Sequence, residues 1–245
     1  MTSLPAPHSA RLQMVAFALP GARTARGSCT PPTGVDGTAP LWWQPADGGG
    51  VAEQLMASQG KDIWEGELTP DGKYVVYRTG LVPSDIVYRG LSGDTTEKGI
   101  ATTRFNEYAP RPSPDGRWVA YGSDESGSVQ VYVRPFPGPG APVPISVTGG
   151  TNPVWSRDGR TIFFVNVNQL VAASVVTRPS FSVIARDTLF EGNYETGFRH
   201  AGYDVAPDGK SFLMLRRVEG NSEQIVVIHN WAAELQARAK GTSPR

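Results

Sequence analysis

A single cysteine, Cys29, excludes any disulfide within the 245-residue chain and leaves its compartment open. His8, His200 and His229 are too scattered to frame a zinc site, and no H-E-x-x-H pair occurs. Neither sign of charge prevails. The 23 Lys and Arg balance 23 Asp and Glu, so no long-range field draws nucleic acid or an acidic membrane. No apolar run approaches the roughly 18 residues of a membrane span, so no membrane insertion is expected. Residues 14–19 behind Arg11 faintly resemble a signal peptide, but the run is short and Pro20 and Arg23 follow at once. The glycine-rich loop, strand lysine and paired aspartates of phosphoryl transfer are missing at usable spacing, as is the G-x-S-x-G of a serine hydrolase. Residues 124–128 (DESGS) offer oxygens without the spaced acids and closing glutamate of a calcium loop. Gly138-Pro139-Gly140 precedes no helix that could cradle a phosphate. The chain therefore reads as a non-enzyme, with no cofactor, metal or catalytic residue expected.

Turn formers are plentiful instead. There are 28 Gly and 21 Pro beside 39% hydrophobic residues and six Trp, enough for many short strands around a real core. Residues 108–138 (YAPRPSPDGRWVAYGSDESGSVQVYVRPFPG) show how these are used. A strand over 109–113 runs into Pro114-Asp115-Gly116, where proline fixes φ and Asp-Gly accepts a hairpin's positive φ. Residues 118–123 and 129–134 then alternate with the period of two expected of strands. An outer strand is expected at 143–147.

The same unit recurs. Pro70-Asp71-Gly72 is flanked by strands at 64–69 and 73–78, followed by 85–89 and 95–101. Arg157-Asp158-Gly159 has 152–156, 161–166, 170–176 and 182–190 around it. Pro207-Asp208-Gly209 has 203–206, 211–216 and 223–229. Asp71, Asp115, Asp158 and Asp208 lie 44, 43 and 50 residues apart. Four strands per repeat of 40–45 residues is the signature of β-propeller blades. Residues 41–44 and 51–57 form a hairpin that reads as the end of an earlier blade.

The spacing predicts an all-β chain: a partial ring of about four to five four-stranded antiparallel blades over residues 39–230. Residues 1–38 are a poorly ordered segment or a degraded first blade. Residues 231–245 are a short helix and tail, with Asn230 as N-cap and Trp231 and Leu235 on one face. An open arc is expected rather than a closed ring, and its exposed blade edges would allow self-association. Tyr77, Trp118, Tyr121, Phe163, Phe164 and Phe212 sit at strand spacing and are expected between blades.

Pro-Asp-Gly before an aromatic strand resembles the WD-repeat-like propeller repeats of TolB and its relatives. The run FNEYAPRPSPDGRWVAYGSDESGSVQVYVRPFP, with LWWQPADGGG before it and QIVVIHNWAAEL at the end, looks more specifically like the C-terminal propeller of bacterial serine/threonine protein kinases. The resemblance covers residues 39–238. It implies a non-catalytic module for ligand sensing or protein–protein interaction. The kinase domain and membrane span of such proteins are not in this sequence, nor are the opening blades of a six-bladed TolB type, so the chain resembles a fragment or stand-alone remnant. Attached to a membrane kinase it would be extracytoplasmic (periplasmic), and otherwise cytoplasmic. The alternative is a propeller that supports or gates a separately encoded hydrolase or peptidase.

In a four-stranded blade the connections alternate ends, so the Asp-Gly turns share one face and the blade-to-blade loops reach the channel mouth on the other. The 50-residue interval places its surplus in residues 191–202 (EGNYETGFRHAG), as insertions in repeats map to loops. Glu107, Asn152, Arg199, His200 and Tyr203 are therefore the candidate site for a protein or small-molecule ligand.

Overall fold

The computed structural model describes residues 25–26, 41–43, 53–57, 61, 63–195, 202–218 and 222–228. The fold is that of propeller blades, five antiparallel sheets that follow one another along the chain. The first holds β1 (Ala25–Arg26), β2 (Leu41–Trp43) and β3 (Glu53–Met56). The second holds β4 (Ile63–Leu68), β5 (Tyr74–Thr79), β6 (Asp85–Gly90) and β7 (Lys98–Ala101). The third has β8 (Glu107–Pro112), β9 (Trp118–Ser123), β10 (Gln130–Pro135) and β11 (Val143–Pro144). β12 (Thr151–Trp155), β13 (Thr161–Asn166), β14 (Gln169–Val176) and β15 (Ser182–Glu191) make the fourth. β16 (Tyr203–Val205), β17 (Phe212–Val218) and β18 (Ser222–Ile228) make the fifth. Among the described residues there is no helix, and no strand pairing joins the fifth sheet to the first. The C-terminal helix expected over 231–245 lies outside the described residues.

Each of the last four sheets opens with the same hairpin. The carbonyls of Thr69, Ser113, Ser156 and Ala206 accept from the amides of Gly72, Gly116, Gly159 and Gly209, at 2.8–3.0 Å. These four glycines hold φ of 66–69°, which an L side chain resists. Only the glycine of each Asp-Gly pair is left-handed; the aspartate does different work. Oδ1 of Asp71, Asp115, Asp158 and Asp208 accepts the backbone N–H two residues on. In the first three turns Oδ1 also accepts the Thr69, Ser113 or Ser156 hydroxyl.

The strand period of two then sorts side chains between neighbouring sheets. On β5, Val75 and Tyr77 face the first sheet with Leu41 and Met56, while Val76 faces the third with Val119 and Tyr121. On β13, Ile162 and Phe164 join Val131, Val133 and Ile145 of the third sheet, while Phe163 and Val165 join Phe212 and Met214 of the fifth. The core is thus divided into clusters, one at each sheet junction. Edge-to-face rings fill two of them: Tyr74, Tyr88 and Phe136 between the second and third sheets, and Phe163 against Phe212 between the fourth and fifth. Phe212 is fully buried, and side chains of its class contribute about 1.5–3 kcal/mol each when removed from water. Tyr77, Tyr121, Phe163 and Phe164 are buried as expected, whereas Trp118 is half-buried against Phe181.

One strand is shorter than expected. β11 spans Val143–Pro144 rather than 143–147, because Pro142 and Pro144 lack amide donors. Side chains complete the edge: Ser146 Oγ accepts the Val131 amide at 2.8 Å and donates to Gln130 Oε1 at 2.6 Å.

Candidate functional site

The first strands of successive sheets pack on one another, β4 on β8 and β8 on β12. In two of them the ladder is interrupted at the same place in the repeat. β8 bulges between Tyr108 and Arg111, and β12 between Thr151 and Val154. Inside those bulges Ala109 and Asn152, each followed by proline, hold φ of 49° and 55°. A non-glycine residue there is strained by about 1–3 kcal/mol and persists only when its surroundings hold it. Neighbouring sheets do so. The Ala109 amide donates to Glu65 Oε1 at 2.8 Å, and the same oxygen accepts from the buried Arg78 Nε at 3.1 Å. The Asn152 carbonyl accepts from the Tyr203 hydroxyl at 2.9 Å. Arg111 bonds Glu67 of the preceding sheet, and Trp155 Nε1 donates to the Arg111 carbonyl at 3.0 Å.

Of the five candidate residues, three are described and all three are buried. Glu107, the first residue of β8, is 1% exposed, Asn152 0% and Tyr203 6%. The structure brings Tyr203 onto Asn152; Glu107 is held by a different set. Its amide donates to the Ser84 carbonyl, and its own carbonyl accepts from Ser84 Oγ, both at 2.9 Å. Oε1 accepts from Thr103 Oγ1 at 2.7 Å, while Oε2 is buried without a hydrogen-bond partner among the described residues. Burial pushes the carboxyl up to about 7; Thr103 opposes the shift, and Asp85, Asp124 and Glu125 add to it. Burial likewise drives the Tyr203 hydroxyl well above its ordinary value. Arg199 and His200 lie outside the described residues.

The same end of the sheets carries features that sequence reasoning missed. The β5–β6 loop exposes Leu81 and Val82, the latter by 74%. The β11–β12 loop exposes Val147, and the β13–β14 turn exposes Val167 by 87%. Val167 also holds φ of 57°, rare for a β-branched residue. The signal was present: apolar residues sit in turns where Gly, Asn or Asp would be expected. The acidic loop of Asp124 and Glu125 lies at this end too, and Asn106 donates twice to Asp124. The opposite end exposes Val176 and Ile184, on β14 and β15, and holds a cavity of about 200 Å³ between the Asp115 and Asp158 turns. A second cavity, about 180 Å³, lies between the first two sheets and is lined by Lys61, Tyr77, Arg89 and Glu97. Glu97 closes it by accepting from Tyr77 and Lys61, each at 2.7 Å. Among the described residues no group of His, Cys, Asp and Glu is arranged to hold a metal ion, and no helix is long and apolar enough to cross a membrane.

No family model matches the chain, and no curated protein sequence does. Solved structures match in shape, and they are β-propellers. TolB from Acinetobacter baumannii superposes with a TM-score of 0.62 at 20% identity, over 85% of this chain and 50% of its own. A putative TolB from Agrobacterium tumefaciens gives 0.52 at 19%, over 79% and 66%. A puromycin-hydrolyzing peptidase from Mycobacterium tuberculosis gives 0.53 at 15%, over 77% and 33%. The fold is that of a TolB-like propeller, and the chain spans half the length of the Acinetobacter protein.

Proposed function

We propose that this chain is a non-catalytic propeller module that binds a protein partner across the end carrying the blade-to-blade loops. One observation carries the reading: Leu81, Val82, Val147 and Val167 are exposed at that end on three different loops, whereas the other end exposes two large apolar side chains, Val176 and Ile184, both on the fourth sheet. Apolar tips beside Asp124 and Glu125 suit a segment that offers apolar and basic side chains together. Arg199 and His200 belong to this surface on sequence grounds, and the buried Glu107, Asn152 and Tyr203 support it from beneath. The sequence resemblance to kinase-linked propellers makes sensing for a serine/threonine kinase the finer form of the proposal.

The test is a selection of phage-displayed 12-residue peptides on the purified protein. Enriched peptides should be apolar and basic, and their binding should fall at least tenfold when Leu81, Val82, Val147 and Val167 are all changed to Ser. Binding that survives that variant but is lost with Asp71, Asp115 and Asp158 changed to Asn would move the site to the opposite end. The peptidase likeness favours a second reading, a propeller that gates a separately encoded hydrolase. Such an enzyme encoded beside this chain, and captured by it, would support that reading over the first.

A further inference from the structure

Glu107 is a carboxyl group with one oxygen satisfied and the other dry. Its side chain is 99% removed from solvent, and Oε2 meets no donor among the described residues. The neighbouring residue repeats the imbalance, since Asn106 Oδ1 is also buried with no donor among the described residues. An ionised carboxylate in that position is destabilised by lost solvation, whereas a proton on Oε2 removes the charge and supplies the donor the locality lacks. The groups facing it reinforce this. Asp85 opens β6, Asp124 and Glu125 lie in the β9–β10 loop, and all three repel a negative charge on Glu107. From β9 the Tyr121 hydroxyl is coupled to it, and that hydroxyl accepts from Arg134 Nε.

The backbone of Glu107 is also a mechanical junction. It makes both bonds to Ser84, which tie the start of β8 to the loop between β5 and β6. Two residues further on, Ala109 holds the left-handed bulge that Glu65 secures. We propose that Glu107 is a proton-operated latch between the second and third sheets, closed when its carboxyl is neutral and loosened when it ionises.

The sign follows from the direction of the shift. The folded value lies above the ordinary 4.5, so the latch's contribution is fully present below that value. It is lost as pH rises through about 7. The proposal needs no partner and goes beyond the binding reading.

Two measurements on the intact protein test it. The ¹³C carboxyl resonance of Glu107 should titrate near neutral pH. Amide hydrogen exchange supplies the second readout, as protection factors corrected for intrinsic rates. For the Glu107 and Ala109 amides, protection should fall about tenfold between about pH 6 and about pH 8.5. The Gly150 amide, bonded to Val129 O at the next junction, should keep constant protection. In Glu107→Gln, an isostere of the neutral acid, the tenfold change should vanish. A carboxyl that titrates near 4.5 would overturn the proposal with no variant needed. So would protection that is flat in the native protein, or equally pH-dependent in Glu107→Gln.

Discussion

The two ends of these sheets are built from the same strands and by different rules. At one end, Thr69, Ser113, Ser156 and Ala206 each begin one turn, and left-handed glycines agree in φ to within a few degrees. At the other end the described loops differ from one another. One exposes Leu81 and Val82, one carries Asp124 and Glu125, and one sets Val167 in a left-handed conformation. The uniform end is where hairpin geometry is solved once and copied. The varied end is where each copy has been free to acquire its own chemistry, as expected when function sits on loops held by a rigid scaffold.

Substitutions that treat the two ends alike should therefore give opposite results. The largest effect is expected at the uniform end: Gly116→Val forces a β-branched residue to φ of 67° and should destabilise by about 1–3 kcal/mol in urea unfolding. Ser156→Ala comes next. It removes the hydroxyl that accepts the Thr161 amide at 2.9 Å and donates to Asp158, with an expected loss of about 1 kcal/mol. At the varied end the sign reverses. Val167→Gly relieves left-handed strain at an exposed position and should stabilise by about 0.5–1 kcal/mol. A destabilising result there would mean that Val167 packs in solution. Leu81→Ser should change stability by less than about 0.5 kcal/mol while it weakens peptide capture, which separates fold from surface. The smallest effect is on acid stability. The Ser156 hydroxyl holds the Asp158 carboxyl below its ordinary 3.8, so its contribution is present above that value and lost as pH falls below it. Asp158→Asn should flatten that part of the acid unfolding profile.

The uniform end was legible in the sequence because turn chemistry is local: Pro-Asp-Gly and Arg-Asp-Gly name the turn wherever they stand. Strand period was equally readable, and the aromatic residues on β5, β9 and β13 fell between sheets as their alternation required. The bulge at Ala109 was not legible. Nothing about alanine favours a positive φ, and what holds it is Glu65, 44 residues earlier. At Asn152 the residue type did allow a left-handed backbone, but its support comes from Tyr203, in the following sheet. Glu107 was expected at a channel mouth as a polar strand-end residue, and the structure seals it. Sequence patterning assigns a glutamate to solvent by default, and only the packing of Ser84 and Thr103 around it reveals a dry carboxyl.

Three of the staples between sheets share a span, and a fourth, Tyr203 to Asn152, reaches back 51 residues. Ala109 to Glu65, Arg111 to Glu67 and Trp155 to Arg111 each reach back 44 residues, one repeat. The apolar clusters likewise join consecutive sheets. Each new sheet therefore closes a chain loop of similar length, 44 or 51 residues, and loop-closure entropy grows only slowly with length in any case. Assembly can start at any sheet and spread to either side, in the manner of a one-dimensional lattice with nearest-neighbour coupling. A lesion in an interior sheet weakens two junctions and one in a terminal sheet weakens one, so tolerance of damage should rise toward the ends of the array.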